Sequence, residues 1–225
     1  MEIKHGIHRL EGIRGANSYL FITDDGVLVI DTGMPGNGER IVRQIKALGK
    51  KPEETKLIIL THSDIDHSGS AAELKRMTGA KIAIHKGDAP SLSGDRELKK
   101  VNGFMGVIFK LMIRFMKFQT VKPDIILWDG YEIGDIRAIH TPGHTEGSIC
   151  LYKTGAALFV GDVVRTDKRS NLKFLPKAFT LDIEEAWESV RKIAGLEFDI
   201  LLPGHGKLIF DDASKKVRRF LKNVG

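Results

Sequence analysis

One cysteine, Cys150, stands in 225 residues, which excludes an internal disulfide and fits a reducing compartment. The first residues, Met1-Glu-Ile-Lys-His5, lack the apolar stretch and small-residue cleavage site of a signal peptide, so a cytoplasmic protein is expected. No apolar run is long enough to cross a bilayer, and no transmembrane segment is expected. No repeat or low-complexity tract occurs. No Gly-x-Gly-x-x-Gly or phosphate-loop motif follows an early strand, so nucleotide-cofactor chemistry gains no support. Charge of one sign never forms a long block. The net +6 is spread over scattered lysines and arginines, which reads as a solvated surface and gives no reason to expect a nucleic-acid partner.

What is present is an ordinary globular composition, 42% hydrophobic and 28% charged, in a chain long enough to bury a large core. Short apolar strands alternate with amphipathic helices. Residues 57–60, 81–84 and 157–160 are apolar runs bounded by turn residues, as buried strands are. Residues 18–22 and 27–30 flank Asp24-Asp25-Gly26, a hairpin signal. Helices are expected at about 38–48, 68–78, 183–194 and 212–222. In the third, Asp182 caps the start, Ile183, Ala186, Trp187, Val190 and Ile193 share one face, and Gly195 ends it. The alternation occurs in two halves, which predicts two sheets with helices outside, a layered α/β sandwich, within a single domain over 1–225.

Seven side chains able to bind metal follow one another in order. His62, Asp64, Asp66 and His67 fall in Thr61-His-Ser-Asp-Ile-Asp-His-Ser-Gly69, and His144, Asp162 and His205 follow at Pro142-Gly-His144, Gly161-Asp162 and Pro203-Gly-His-Gly206. Imidazole and carboxylate in this mixture suit Zn²⁺, Fe or Mn²⁺, with donors enough for two ions. Four donors within six residues would be a costly desolvated cluster without a cation. An extended loop after strand 57–60 would point His62, Asp64 and Asp66 to one side, with His67 in the first helical turn. Any one of the seven could be a turn or capping residue. All seven, each at the carboxyl end of a strand-like run, point to a metal centre. His5, His8, His85 and His140 read as strand-end or surface histidines, and Cys150 as a small core residue.

These motifs, with Asn17-Ser-Tyr19 and Asp31-Thr-Gly33, resemble the metallo-β-lactamase superfamily over essentially the whole chain. The resemblance implies an αββα four-layer sandwich and a centre of two divalent ions, Zn²⁺ first, with Fe or Mn as alternatives. It further implies that His62, Asp64 and His144 hold one ion, that Asp66, His67 and His205 hold the other, and that Asp162 bridges them. Asp31 resembles the family's buried aspartate behind the site. One departure stands out. The common loop is His-x-His-x-Asp-His, whereas here Asp64 replaces an imidazole, which lowers the cluster's charge and moves its preference towards harder ions.

The function implied is a metal-dependent hydrolase in which metal-activated water cleaves an ester, lactone or thioester of a small molecule, with Asp66 orienting the nucleophile and passing its proton. Phosphodiester cleavage and an iron-based redox enzyme on the same fold are the alternatives, and a non-catalytic metal module is a third. Two further segments bear on the substrate. Residues 85–120 form an insertion whose Phe104, Ile108, Leu111, Phe115 and Phe118 recur at helical spacing beside Phe109 and Met112, as a lid, a homodimer or membrane-surface contact, or a core helix over 104–118. After Asp162, Arg165, Lys168, Arg169, Lys173 and Lys177 interleave with Leu172, Phe174 and Phe179, a rim suited to an anionic substrate or simply a solvated loop.

Overall fold

The computed structural model describes residues 2–4, 6–96 and 118–224. The chain divides into two compact units, Met1–Ile84 with Ala89–Ile126, and His85–Asp88 with Leu127–Gly225. The helix expected at 104–118 lies outside the described residues, apart from Phe118.

The first unit is organised on a seven-stranded sheet in simple sequence order, β1 (Glu2–Lys4), β2 (Ile7–Arg9), β3 (Tyr19–Thr23), β4 (Gly26–Ile30), β5 (Thr55–Ile59), β6 (Lys81–His85) and β7 (Ile125–Leu127). The strands to β4 run antiparallel, and β4, β5 and β6 are parallel. Parallel neighbours need crossovers, and helices supply them here. α1 (Gly38–Ala47) joins β4 to β5, and α2 (Ile65–Ser68) with α3 (Ala71–Thr78) joins β5 to β6. The short α4 (Ala89–Ser93) follows β6. β4, Gly-Val-Leu-Val-Ile, is buried at every position, as a central strand covered on both faces must be. Its core includes Val29, Ile41, Ile45, Ile58, Leu74 and Ile82, all fully buried, each contributing about 1.5–3 kcal/mol of transfer free energy.

Two details differ from the sequence expectation. The β3–β4 turn consists of Asp24 and Asp25 alone. Gly26 already pairs with Thr23, at φ 138°, where a Cβ would crowd the Glu54 carbonyl and the Lys56 side chain. The helix expected from about residue 68 begins at Ile65 and breaks at Gly69–Ser70 into α2 and α3. A Cβ at Gly69 would meet Pro35 at about 2.5 Å, so the break occurs where two backbones touch.

The second unit holds a five-stranded sheet in the order β14-β11-β10-β9-β8, made from β8 (Glu132–Ile133), β9 (Ile136–His140), β10 (Ile149–Lys153), β11 (Ala157–Gly161) and β14 (Ile200–Pro203). β8 to β11 are antiparallel, and β14 joins β11 in parallel after a crossover through α5 (Ile183–Ala194). A small hairpin, β12 (Arg165–Thr166) and β13 (Leu172–Lys173), follows β11, and α6 (Ala213–Val224) ends the unit. Asp182 caps α5 as its sequence indicates, its carboxylate accepting from the Glu185 N–H at 2.9 Å. Ala186, Val190 and Ile193 turn inward onto a core with Cys150, Val160, Leu201 and Val217, and Trp187 stacks between Phe174 and Phe220. Cys150 is fully buried, and burial pushes its thiol up to about 12, so it is a core residue as expected.

Candidate metal centre

In the first unit the donors leave the carboxyl end of β5. Asp64, at φ −58° and ψ 142°, is already the N-cap of α2, and the His67 and Ser68 N–H groups both donate to its carbonyl at 2.9 Å. The expected extended loop therefore ends at Asp64, before Asp66. Asp66 and His67 are carried by a helical turn. His62 and His67 are buried, and Asp64 and Asp66 half-buried. His62 Nε2 lies 3.8 Å from Asp64 Oδ2, and the donor atoms of His62 with His67, and of Asp66 with His67, come within 4.8 Å of each other.

Asp31 holds this loop. It follows β4 at φ 56°, a left-handed conformation tolerated by aspartate and costly for most other side chains. Its Oδ1 accepts the Thr61 N–H at 2.8 Å, and its Oδ2 accepts the Thr61 hydroxyl at 2.8 Å. His67 Nδ1 is also 2.8 Å from Oδ2. An ionised carboxylate only accepts, so His67 Nδ1 donates and its Nε2 keeps the lone pair that a metal needs. Thr61, having given its proton to Asp31, accepts from His62 Nδ1 at 3.1 Å and leaves His62 in the same tautomer. One buried carboxylate and one hydroxyl thus orient two imidazoles. Backbone ties complete the frame. The His67 carbonyl accepts from both Thr32 N–H and hydroxyl, and the Asp66 carbonyl from Ala16 N–H.

In the second unit the donors also sit at carboxyl ends of strands, but glycine geometry aims them. Gly143, at φ 121°, precedes His144, and a Cβ there would overlap the Ala186 backbone of α5. Its carbonyl accepts the N–H groups of Leu181 and Asp182 at 2.9 Å. Gly161 (φ 46°) precedes Asp162, and its carbonyl accepts the Gly204 N–H at 2.8 Å, tying the Asp162 turn to the His205 turn. His144 and Asp162 are buried, whereas the His205 side chain is 38% exposed. Asp162 Oδ2 stands 3.7 Å from His144 Nε2 and 3.5 Å from His205 Nε2. Donor atoms of a tetrahedral shell at 2.0–2.1 Å from zinc stand about 3.4 Å apart, so Asp162 Oδ2 is spaced to share a shell with each of the two imidazole nitrogens in turn.

Some residues were not legible as functional. Thr61 carries no signal beyond its place before His62. Asp88, 2% exposed, accepts the Thr145 hydroxyl and the Gly147 N–H at 2.9 Å and so fixes the turn after His144. His85 and His8 are buried rather than superficial. His85 ends β6 and stacks on His140 at 4.0 Å, with His140 Nε2 2.9 Å from the Glu146 carbonyl. Burial pushes the His85 imidazole down to about 4, with His140 and Lys86 adding in the same direction. The basic segment after Asp162 forms β12 and β13, and Phe174 is drawn from it into the aromatic stack.

Comparison with known proteins gives this arrangement a family. Residues 12–205 match the metallo-beta-lactamase superfamily model, a span that contains all seven donors. The probable metallo-hydrolase YflN of Bacillus subtilis is 30% identical over 91% of this chain and 85% of its own. The human acyl-coenzyme A thioesterase MBLAC2 is 28% identical over 84% of this chain and 72% of its own. Among solved structures, the metallo-β-lactamase of Cronobacter sakazakii with a HARLDQ motif superposes with a TM-score of 0.75 at 21% identity, covering 99% of this chain and 90% of that one, and shows the fold. The chain belongs to the metallo-beta-lactamase superfamily. It is a metal-dependent hydrolase with the mixed α/β fold of that superfamily, as its motifs predict. No helix among the described residues is long and apolar enough to cross a membrane.

Proposed function

We propose that the chain hydrolyses thioesters of small molecules, with carboxylic esters and lactones as related substrates, at a centre of two divalent ions, zinc in the first instance. His62, Asp64 and His144 would hold one ion, Asp66, His67 and His205 the other, and Asp162 both. The observation that carries the reading is the donor chemistry. Two buried imidazoles have Nδ1 committed to the Asp31–Thr61 pair, and a buried carboxylate oxygen is flanked by two more imidazole nitrogens. The thioester preference draws on the likeness to MBLAC2. Bound divalent ions supply Lewis acidity towards a carbonyl oxygen and make a nucleophile available near neutral pH.

The protein's own part is positioning and proton movement. Asp31 and Thr61 keep the His62 and His67 rings in one tautomer, and the Gly143, Gly161 and Gly204–Gly206 turns set the remaining donors. Asp66, half-buried on the first turn of α2, would accept the proton of the attacking water and return it to the leaving thiolate. A single buried thiol, Cys150, supports residence in a reducing cytoplasm.

Metal analysis combined with a panel of thioester, ester, lactone and phosphodiester substrates tests the proposal. Asp162→Ala should lose metal and nearly all hydrolysis, and Asp66→Asn should weaken binding of the second ion and lower kcat on the order of 10²–10⁴-fold. Unchanged metal content and activity in Asp162→Ala would refute the assignment.

A further inference from the structure

The second unit carries a cleft that the hydrolytic chemistry leaves unused. It has a volume of about 400 Å³ and lies between the tip of the β12–β13 hairpin and α6. The hairpin brings Arg169, Ser170 and Asn171 to it, and α6 brings Lys216, Arg219 and Phe220. These three helix residues fall at spacings of three and four, so one helical face lines the cleft.

The hairpin tip is held in a defined shape. Ser170 is a non-glycine residue at φ 63°, a conformation costing about 1–2 kcal/mol for an L-residue. The turn persists because Asp167 closes it from inside, accepting the Arg169 and Asn171 N–H groups at 2.8 and 2.9 Å and the Asn171 side-chain amide at 3.0 Å. Those bonds hold the Asp167 carboxyl below the usual carboxylate range. The cleft cations are differently placed. Asp212 pairs with Lys215 and Glu197 with Arg218, whereas Arg169, Lys216 and Arg219 have no carboxylate within ion-pair distance among the described residues. Lys216 donates to the Phe210 carbonyl at 3.1 Å and keeps further N–H groups. The floor is apolar, formed by Leu172, Ile209 and Phe220, with Phe220 backed by Trp187.

Two guanidinium forks and an ammonium above an apolar, aromatic floor match a phosphate ester joined to a planar body. The site is also tethered to the donor set. The Thr166 N–H donates to the His205 carbonyl at 3.1 Å, and Ser170 lies four residues further along, at most about 14 Å away at 3.3–3.6 Å per residue. A substrate with a reactive thioester at one end and a phosphate group at the other could span that distance.

We propose that this cleft binds the phosphorylated, nucleotide-type handle of the thioester substrate and so selects a nucleotide-linked thioester over a bare one. The proposal rests on the thioester reading above. Its test uses Arg169→Ala with Arg219→Ala, two exposed positions outside the donor set. Calorimetry with adenosine 3′,5′-bisphosphate measures binding independently of turnover, with adenosine as the uncharged control. Wild type should bind the bisphosphate, more weakly as salt rises, and the double variant should bind it about tenfold or more weakly, while adenosine binding stays equal in the two proteins. In kinetics, the KM for a nucleotide-linked thioester should rise by about the same factor, with kcat and the KM for an N-acetylcysteamine thioester unchanged. Thioester hydrolysis with equal bisphosphate affinity and equal KM in both proteins, or no bisphosphate binding by wild type, overturns the cleft assignment and spares the thioester reading. Arginine-dependent bisphosphate binding with no turnover of either thioester overturns the thioester reading and confirms the cleft as a phosphate site.

Discussion

The two units solve the same problem, presenting candidate metal donors at strand ends, by different physical means. In the first, a buried carboxylate and a hydroxyl orient the donors, so positioning resides in side-chain hydrogen bonds centred on Asp31. In the second, left-handed glycines orient the backbone, and the His144, Asp162 and His205 turns are locked by main-chain bonds. A donor held by a side chain is vulnerable to the loss of one acceptor. A donor held by backbone shape is vulnerable to the gain of one methyl group.

The largest expected effect comes from removing the hub of the first scheme. Asp31→Ala would strand the Thr61 N–H, the Thr61 hydroxyl and the His67 N–H in a buried environment at about 1–3 kcal/mol each, and metal affinity should fall on the order of 10–100-fold. Urea denaturation and metal titration measure the two losses. Asp31→Asn, which tolerates the same backbone conformation, should recover part of the stability. Wild-type metal affinity in the alanine variant would erase the contrast between the units.

Acid sharpens the comparison from the other side, because the second unit buries a neutral imidazole. His85 falls from 6.5 to about 4 on folding, chiefly through burial, with the facing His140 and Lys86 lowering it and Asp129 opposing. The unfolded chain binds this proton more readily than the folded one, so stability is complete above about pH 6.5 and is lost as pH falls towards 4. The full loss is about 3 kcal/mol at 1.36 kcal/mol per unit. Unfolding followed across pH 4–7 in wild type and His85→Asn checks this, since the variant should lose most of that slope. Parallel profiles in the two proteins would remove His85 from the account.

Gly143→Ala tests the backbone scheme directly. At φ 121° and with its new Cβ overlapping the Ala186 backbone, the variant should lose about 1–3 kcal/mol and displace His144, lowering metal content as well. Gly155→Ala is the control. Its φ of 68° is strained too, yet nothing lies within 4 Å of the new Cβ, so it should cost less and leave metal content unchanged. Equal behaviour of the two variants would show that crowding against α5 does not position His144.

The smallest effect on stability is expected from Asp64→His, which restores the common loop pattern. The Asp64 side chain makes no cap hydrogen bond to α2, so stability should change by no more than about 0.5–1 kcal/mol. The preference for Zn²⁺ over Mn²⁺ and Fe²⁺ should increase as a negative charge leaves the donor set. Activity with each metal reconstituted separately reads the shift, and an identical metal ranking in both proteins would show that Asp64 does not tune the centre.

By itself the sequence determined the class of fold and the approximate elements, and it marked the candidate donor residues. Those depend on properties that residues carry with them. Apolar periodicity marks β4, β5 and the faces of α1 and α5, glycine and proline mark the turns, and imidazole with carboxylate marks metal chemistry. The β3–β4 turn and the start of α2 were misplaced by a few residues, because local signals cannot show that Gly26 joins a ladder or that Asp64 caps a turn. Tertiary structure alone decided the rest. Asp31 and Thr61 are 30 residues apart, Asp88 and Thr145 are 57 apart, and Arg169 meets Arg219 only through the packing of a hairpin on a helix. The depressed imidazole of His85 has the same origin, since burial and the stacked His140 exist only once distant strands are in register. Residue type announces what a side chain can do, and long-range packing sets which partner, which tautomer and which charge state it has when it does so.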